Sequence, residues 1–368
     1  ERKRVKTIVL LRRERRSVGK DEEEKRMLGG VSQIGIRNLE TIYIKQGEKV
    51  EIGELVATIG FFDGVHRGHQ YLIRNVINEA HRVGMVSAVI TFDEHPRQVL
   101  KASPGKEDDV NSRPELLSSL DEKLLLLSKT GIDKVIVLHF DVALADLSAR
   151  EFMEDVLRNQ LNVRELLIGY DNRFGHNRSE GFDDYKRYGE QLGIEVIHNN
   201  AYLPDGEKIS SSQIRTYIKE GDIVRANHCL GYDYTISSKI VSGFQNGHKL
   251  GFPTANLDIN ACQQLLPMRG VYAVMVQLDH SLVWKRGMMN IGKRPTFDGT
   301  KETLEVNIFN FEGNLYGQDV SIRFISKIRD ERKFDSLEAL SQQLEQDKHT
   351  INALFDRRHP MVDNIVEQ

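Results

Sequence analysis

An α/β domain on a doubly wound parallel sheet, followed by a small antiparallel β-barrel with a C-terminal helix, is the fold class the sequence predicts. Two observations carry the prediction. From about Ile36 to Gly221 short apolar runs alternate with amphipathic ones, the pattern of βαβ units. After "IVRANHCLG" the runs become short, alternating and broken by Gly, Asn and Asp, as in the strands of small barrels. With 368 residues the chain has the length of two ordinary domains. The expected division is 36–221 and 222–368, with the junction near Asp222 to Gly231. Residues 1–35 pair a basic run with "DEEE" and offer little to bury, so a charged, disordered tail is expected there.

Element by element, "ELVATIG" reads as a buried strand. "HQYLIRNVINEAHRVG" reads as a helix, with Leu72, Ile73, Val76, Ile77 and Ala80 at helical spacing. "MVSAVITF" is a strand, and "RPELLSSLDEKLLLLSKTG" a helix that Gly131 ends. "KVIVLHF" is a strand, and "SAREFMEDVLRNQL" a helix capped by Ser148. "RELLIGY", "FDDYKRYGEQLG" and "IEVIHN" give strand, helix and strand, and "SSSQIRTYIKEGD" is a helix opening on serines. In the barrel, "YTISSKIVSGF", "GVYAVMVQL", "SLVWKRGMMNIG", "LEVNIFNF" and "VSIRFISKI" are the expected strands. "SLEALSQQLEQDKHTINALF" closes the chain as a helix from Ser336; Glu338 stands one residue early for a full capping box.

Composition narrows the function classes. A formal net charge of −3 gives no global basic field for nucleic acid or an acidic membrane. No apolar run approaches the roughly 20 residues of a membrane span. The apolar piece "TIVLL" is too short for a signal peptide and is hemmed in by basic residues. Two cysteines, Cys229 and Cys262, make no disulfide framework and suit a reducing cytoplasm. Small molecules are the expected partners. Nothing in the sequence fixes the oligomeric state.

The densest motif is "GFFDGVHRGH", Gly60 to His69. Gly60, Asp63 and Gly64 shape a strand-to-helix turn, which puts His66 and His69 at a helix N-terminus. That terminus offers unpaired N–H groups and a positive dipole end, both suited to phosphate. A zinc pair would need a third ligand at suitable spacing, and the other histidines offer none. Packing alone leaves the glycines unexplained: Gly68 clears the backbone between the histidines, where a nucleotide fits. "ISSSQIR" places Ser211 and Ser212 at another helix start, with Arg215 one turn on. Alone this is ordinary N-capping; with the histidine turn on the same sheet it makes a split phosphate site.

The Gly-x-x-Asp-Gly-x-His-x-Gly-His turn with Ser-Ser-Ser-x-Ile-Arg resembles the HxGH-type nucleotidyltransferases. With "TFDEHPRQV" and "IGYDNRFGHNRSEG" the likeness narrows to the FMN adenylyltransferase module of bacterial bifunctional riboflavin kinase/FAD synthetases. The resemblance implies that His66 and His69 meet the triphosphate near its α-phosphorus. Gly60, Asp63, Gly64, Gly68, Ser211, Ser212 and Arg215 would complete the nucleotide site. Asn172, Arg173 and Arg178 would hold the flavin phosphate. Phe61 stands where that family usually has Asn.

The barrel carries "SGFQNGHKLGFPTANLDI", which lacks the P-loop spacing. Thr254 and Asn256 lie two apart after Pro253, so in extended chain their oxygens share a side. Neutral oxygens of that kind complete the shell of a hydrated Mg²⁺ bridged to phosphates. From here to "KIRDERKFDSLEALSQQLEQD" the chain is similar to riboflavin kinases. The likeness implies Glu305 as catalytic base, Gly247, Lys249 and Gly251 around the nucleotide, and Arg329 at flavin or nucleotide. The kinase family usually has Arg where His248 stands and His where Asn307 stands. Implied, then, are riboflavin and ATP as substrates, FMN and FAD as successive products, and Mg²⁺ for both steps. Two rivals remain: a protein with one live site, and a non-catalytic flavin-binding regulator on the same scaffold.

Overall fold

In the computed structural model of the chain, the described residues run from 39 to 358, except 49, 95–114, 171, 243–251, 280, 282, 297–298 and 312. The expected tail 1–35 and the candidates Gly247, His248, Lys249 and Gly251 lie outside them.

Six strands form one parallel sheet: β1 (Glu40–Ile44), β2 (Leu55–Ile59), β3 (Val86–Phe92), β4 (Lys134–Leu138), β5 (Val163–Ile168) and β6 (Glu195–His198). Their order is β1-β4-β3-β2-β5-β6. Successive residues of each strand enter opposite cores. Val56, Val89, Val135, Val137 and Leu167 face one side, where they share a core with Leu72, Ile73 and Val76 of α1 (Arg67–Val83). Leu55, Ala57, Ile90, Ile136 and Leu166 face the other, against Met153, Val156, Leu157 and Tyr185. Burial on both faces explains why these strands read as continuous apolar runs.

The helix expected from Arg113 begins only at Leu120. Helix α2 (Leu120–Ser128) is capped by Ser119 with a full box to Glu122. The residues just before it are drawn away: Leu117 and Ser118 donate their backbone N–H groups to Asp63. The segment expected as one helix from Ser148 is an α-turn, Ala149–Glu151, running into π-helical Phe152–Gln160. Then come α3 (Phe182–Leu192), α4 (Ser211–Glu220) and α5 (Ile223–Leu230). β1 and α5 were not among the elements expected from sequence.

The second part is a closed barrel of order β10-β11-β8-β7-β12-β9. Its strands are β7 (Thr235–Val241), β8 (Ala255–Leu257), β9 (Gly270–Leu278), β10 (Lys285–Thr296), β11 (Gly299–Ile308) and β12 (Asp319–Arg329). β8 is the sixth strand, added to the five expected; three residues are too few to announce themselves by alternation. Ile236, Tyr272, Val274, Ile291, Val306 and Phe324 lie in a core cluster that also holds the α1 face of the sheet. Helix α6 (Leu337–Arg357) covers the outside of the barrel, where Ile351 joins Phe252, Val271 and Phe309.

Candidate active sites

Chain direction sets the first site. β3 and β5 flank β2 on opposite sides, so the order reverses at β2 and opens a crevice at the carboxyl ends. A cleft of about 410 Å³ lies there, lined by Gly60–Asp63, His66, Gly68, His69, Gly169, Tyr170 and Ser210–Ser212, among others.

The turn after β2 is unusual backbone. Phe62, Gly64 and Val65 all take positive φ, at 52°, 75° and 37°. Non-glycine residues reach that region only at a cost, so other contacts must hold them. Asp63, only 4% exposed, supplies those contacts. Its carboxylate accepts from Leu117 N (3.0 Å), Ser118 N (3.1 Å) and the Arg215 guanidinium (2.5 Å). Burial raises its pKa, against the opposing pull of Arg215 and those N–H groups. Gly64 N–H donates to Ser118 Oγ, and Tyr232 OH donates to Gly64 O.

His66 is the N-cap of α1: its Nδ1 accepts from His69 N–H, which puts the neutral ring's proton on Nε2. The two imidazoles stack with centroids 3.6 Å apart, and Phe62 meets His69 edge-on. Burial pushes His66 down to about 3 and His69 well below its usual value, with the nearby cations acting the same way. Both rings are therefore neutral donors at pH 7 rather than charges. His69 Nδ1 is buried without a partner in the described structure. A Cβ on Gly68 would press the His66 ring at 3.2 Å, so this glycine makes room for that side chain.

The other half of the cleft comes from α4. Ser210 caps the helix, Ser211 Oγ donates to Asp63 O, and Ser212 is exposed. Arg215 lines the cleft but also donates to Glu115 O and holds Asp63, so it braces the turn from below. Asn172 and Arg178 line the cleft, and Asn172 is tied to Ile59 O. Exposed Arg173 is not among the lining residues.

Two features, one beneath the turn and one on the cleft wall, are not marked in the sequence reading. Lys123 is buried and donates to Phe61 O, Thr91 Oγ1 and Phe92 O, with its ammonium 4.2 Å from the Phe61 ring centroid. Burial lowers its pKa to about 8. Its signal was a lysine inside the apolar face of "EKLLLL". Tyr170 and Lys208, a cation–π pair at 5.3 Å, line the cleft wall; nothing in the local sequence marks them.

The second site sits on the barrel wall. Leu304 and Val306 enter the core, so Glu305 turns outward. Asn256 of β8 and Asn290 of β10 stand directly opposite it on either side, and directly opposed residues share a face. Asn307 donates to Pro253 O (2.7 Å) and fixes the start of the Thr254–Asn256 segment. No group of three or more His, Cys, Asp or Glu among the described residues is arranged to hold a metal. A hydroxyl, an amide oxygen and a nearby carboxylate suit Mg²⁺ whose remaining ligands are phosphates and water. Arg329 of β12 stands opposite Val271, which stands opposite Asn290 on its other side; its guanidinium is paired with buried Asp347 of α6 (2.9 Å), which pins that helix to β12.

Comparison with known proteins agrees with both halves. A model of the FAD synthetase family matches residues 48–213, and one of the riboflavin kinase family matches 230–355. The chain is 38% identical over 299 residues to the bifunctional riboflavin kinase/FMN adenylyltransferase of Haemophilus influenzae, covering 81% of this chain and 94% of that one. It is 33% identical over 305 residues to the Escherichia coli K12 enzyme of the same name, covering 83% and 94%. A solved structure described as a macrolide-efflux protein from Streptococcus pneumoniae superposes with a TM-score of 0.74 at 31% identity, covering 85% of this chain and 98% of that one. With its two matched domains in order along the chain, this protein belongs to the bifunctional riboflavin kinase/FMN adenylyltransferase family.

Proposed function

We propose the following division of labour for the two activities, riboflavin phosphorylation and FMN adenylylation. The cleft at the β2 crevice takes ATP and FMN. An FMN phosphate oxygen attacks the α-phosphorus of ATP; that P–O bond forms, the bond to the β-phosphate bridging oxygen breaks, and pyrophosphate leaves. The nucleophile is already an anion, so no strong base is needed, and catalysis is positioning plus stabilisation of developing charge. His66 and His69 donate hydrogen bonds from neutral rings. Ser211, Ser212 and the α4 N-terminus receive the departing phosphates, with Arg215 adding positive charge from its seat on Asp63. Asn172 and Arg178 receive the flavin phosphate; Arg173 reaches it only by moving.

At the barrel wall the riboflavin 5′-hydroxyl attacks the γ-phosphorus of ATP. This nucleophile is neutral, so its proton passes to Glu305 as the P–O bond forms and ADP leaves. Gly247, Lys249 and Gly251 would contact the nucleotide. Thr254 and Asn256 would hold Mg²⁺, which when bound screens the phosphate charge. Arg329 would meet flavin or nucleotide from its seat on Asp347. The functional boundary falls at 222, with 36–221 and 222–368 as the two units. No described helix is long and apolar enough to cross a membrane; with Cys229 and Cys262 both buried thiols, a cytoplasmic enzyme is the reading we adopt.

The observation that carries this reading is the stacked, neutral His66–His69 pair facing the α4 N-terminus across one cleft. The test is product analysis with riboflavin, ATP and Mg²⁺. FMN, ADP, FAD and pyrophosphate are expected, and chelation of the metal should stop both steps. FMN without FAD, or neither product, would favour the one-site or binding-only alternative.

A further inference from the structure

The segment 115–123 touches both halves of the protein and takes no part in either reaction as described. Toward the cleft it seats the turn: Leu117 N and Ser118 N bind Asp63, Ser118 Oγ accepts from Gly64 N, and Glu115 O accepts from Arg215. Toward the barrel it is sewn in place. Leu265 N donates to Leu116 O at 2.7 Å, and Leu116 bridges Gln264 as a parallel pair. The side chain that completes the seam is Glu122. Its carboxylate accepts from Ser237 Oγ of β7 (2.8 Å), from the Gln264 amide and from Ser119 N. Burial raises its pKa, and these donors act in the opposite sense. The next residue, Lys123, holds Phe61 O at the start of the turn.

We propose that Glu122 is a positioning residue for adenylyl transfer, the lock by which the kinase barrel holds the seat of Asp63 and thereby the His66–His69 turn. The proposal rests on the reading that this turn performs adenylyl transfer. Phe62, Gly64 and Val65, on either side of Asp63, all take positive φ, and the two non-glycine residues among them hold that shape only with outside support. The turn's seat is a short extended segment, not a helix, so the seat itself needs anchors: Arg215 and Lys219 hold Glu115 from α4, and Ser237, Gln264 and Leu265 hold Glu122 and Leu116 from the barrel.

The experiment uses the full chain with Glu122→Ala, Glu122→Gln, Ser118→Ala, Gln264→Ala and the Ser118→Ala/Gln264→Ala double variant. FAD formation from supplied FMN and riboflavin phosphorylation are measured on the same preparations, each resolved into kcat and KM. Glu122→Ala should lower kcat for FAD formation about ten- to a hundredfold, the scale of a small misplacement of reacting groups. Riboflavin phosphorylation should stay within about twofold, since distant sites act independently. Glu122→Gln, which keeps one acceptor oxygen, should fall between. Ser118 lies on the turn side and Gln264 on the barrel side, so their effects on kcat should combine to less than their product. Parental kcat for FAD formation in Glu122→Ala overturns the proposal. So does parallel loss of both activities, or strictly multiplicative Ser118 and Gln264 effects. If the parent protein makes no FAD from FMN, the function reading fails and the proposal falls with it; if the parent does and Glu122→Ala is indifferent, the proposal alone fails.

Discussion

Glu305→Gln keeps the length of the side chain and removes its ability to take a proton. Glu305 faces Asn256 and Asn290 across its neighbouring strands, so a neutral amide fits the same place. General-base contributions are about 10²–10⁴-fold, and FMN formation should fall by that order while riboflavin still binds. FAD formation from supplied FMN should hold, because that nucleophile is already ionised; turnover measured where chemistry limits the rate decides it. A second carboxyl speaks to stability. Glu165, buried under α1, has its pKa raised from 4.5 to about 7, first by burial and then by Glu79 beside it. A carboxyl with a raised folded-state value keeps a proton that the unfolded chain releases. Its contribution is fully present below pH 4.5 and is lost as pH rises through 7. Glu165→Gln stays neutral throughout, so its urea midpoint should exceed the parent's at pH 8 and match it at pH 4.

The elements that position the site differ in how visibly they are written. β2, β3 and β4 are legible because burial on both faces leaves few polar positions, and β5 through its apolar end Leu166 to Ile168. The turn is legible because Gly60, Asp63 and Gly64 interrupt two apolar runs, although Phe62 and Val65 also take positive φ there. The start of α2 is not: Leu116 and Leu117 continue the helical spacing, and a carboxylate more than fifty residues away in sequence takes the Leu117 and Ser118 N–H groups. β8 is held as a strand by its register with β7 and β11 rather than by composition. Sequence shows Arg215 one turn into the serine helix but not that it also pairs with Asp63 while lining the cleft. The turn also carries a test. Gly64 sits at φ +75°, and a Cβ there would come within 3.0 Å of the Leu117 side chain. Left-handed backbone costs a residue with a Cβ about 1–2 kcal/mol, which is about tenfold in rate if it falls on the turn's geometry. Gly64→Ala should therefore cut FAD formation by at least that factor, measured as kcat with FMN supplied.

At the scale of the whole molecule, the cores of the two halves are continuous: the cluster that holds Val56 and Leu72 also holds Tyr234, Tyr272 and Phe324. The polar contacts across the junction are asymmetric in consequence. Tyr232, Gln264 and Ser237 support the histidine turn or its seat, whereas Glu305 is framed by β8 and β10 within the barrel itself. Damage confined to the cleft should therefore leave the barrel's reaction intact. His66→Ala with His69→Ala removes both ring donors and also the N-cap contact from His66 Nδ1 to His69 N–H. Loss of one preorganised donor to a developing oxyanion typically costs about 10²–10³ in kcat, so loss of two should bring FAD formation to background. Neither histidine touches β8, β10 or β11, and the rings are neutral, so no charge is withdrawn from the barrel. Riboflavin phosphorylation by the double variant should match the parent in kcat and KM for ATP. A folded double variant that no longer makes FMN would mean that one nucleotide site serves both reactions, and the two-site assignment would have to be abandoned.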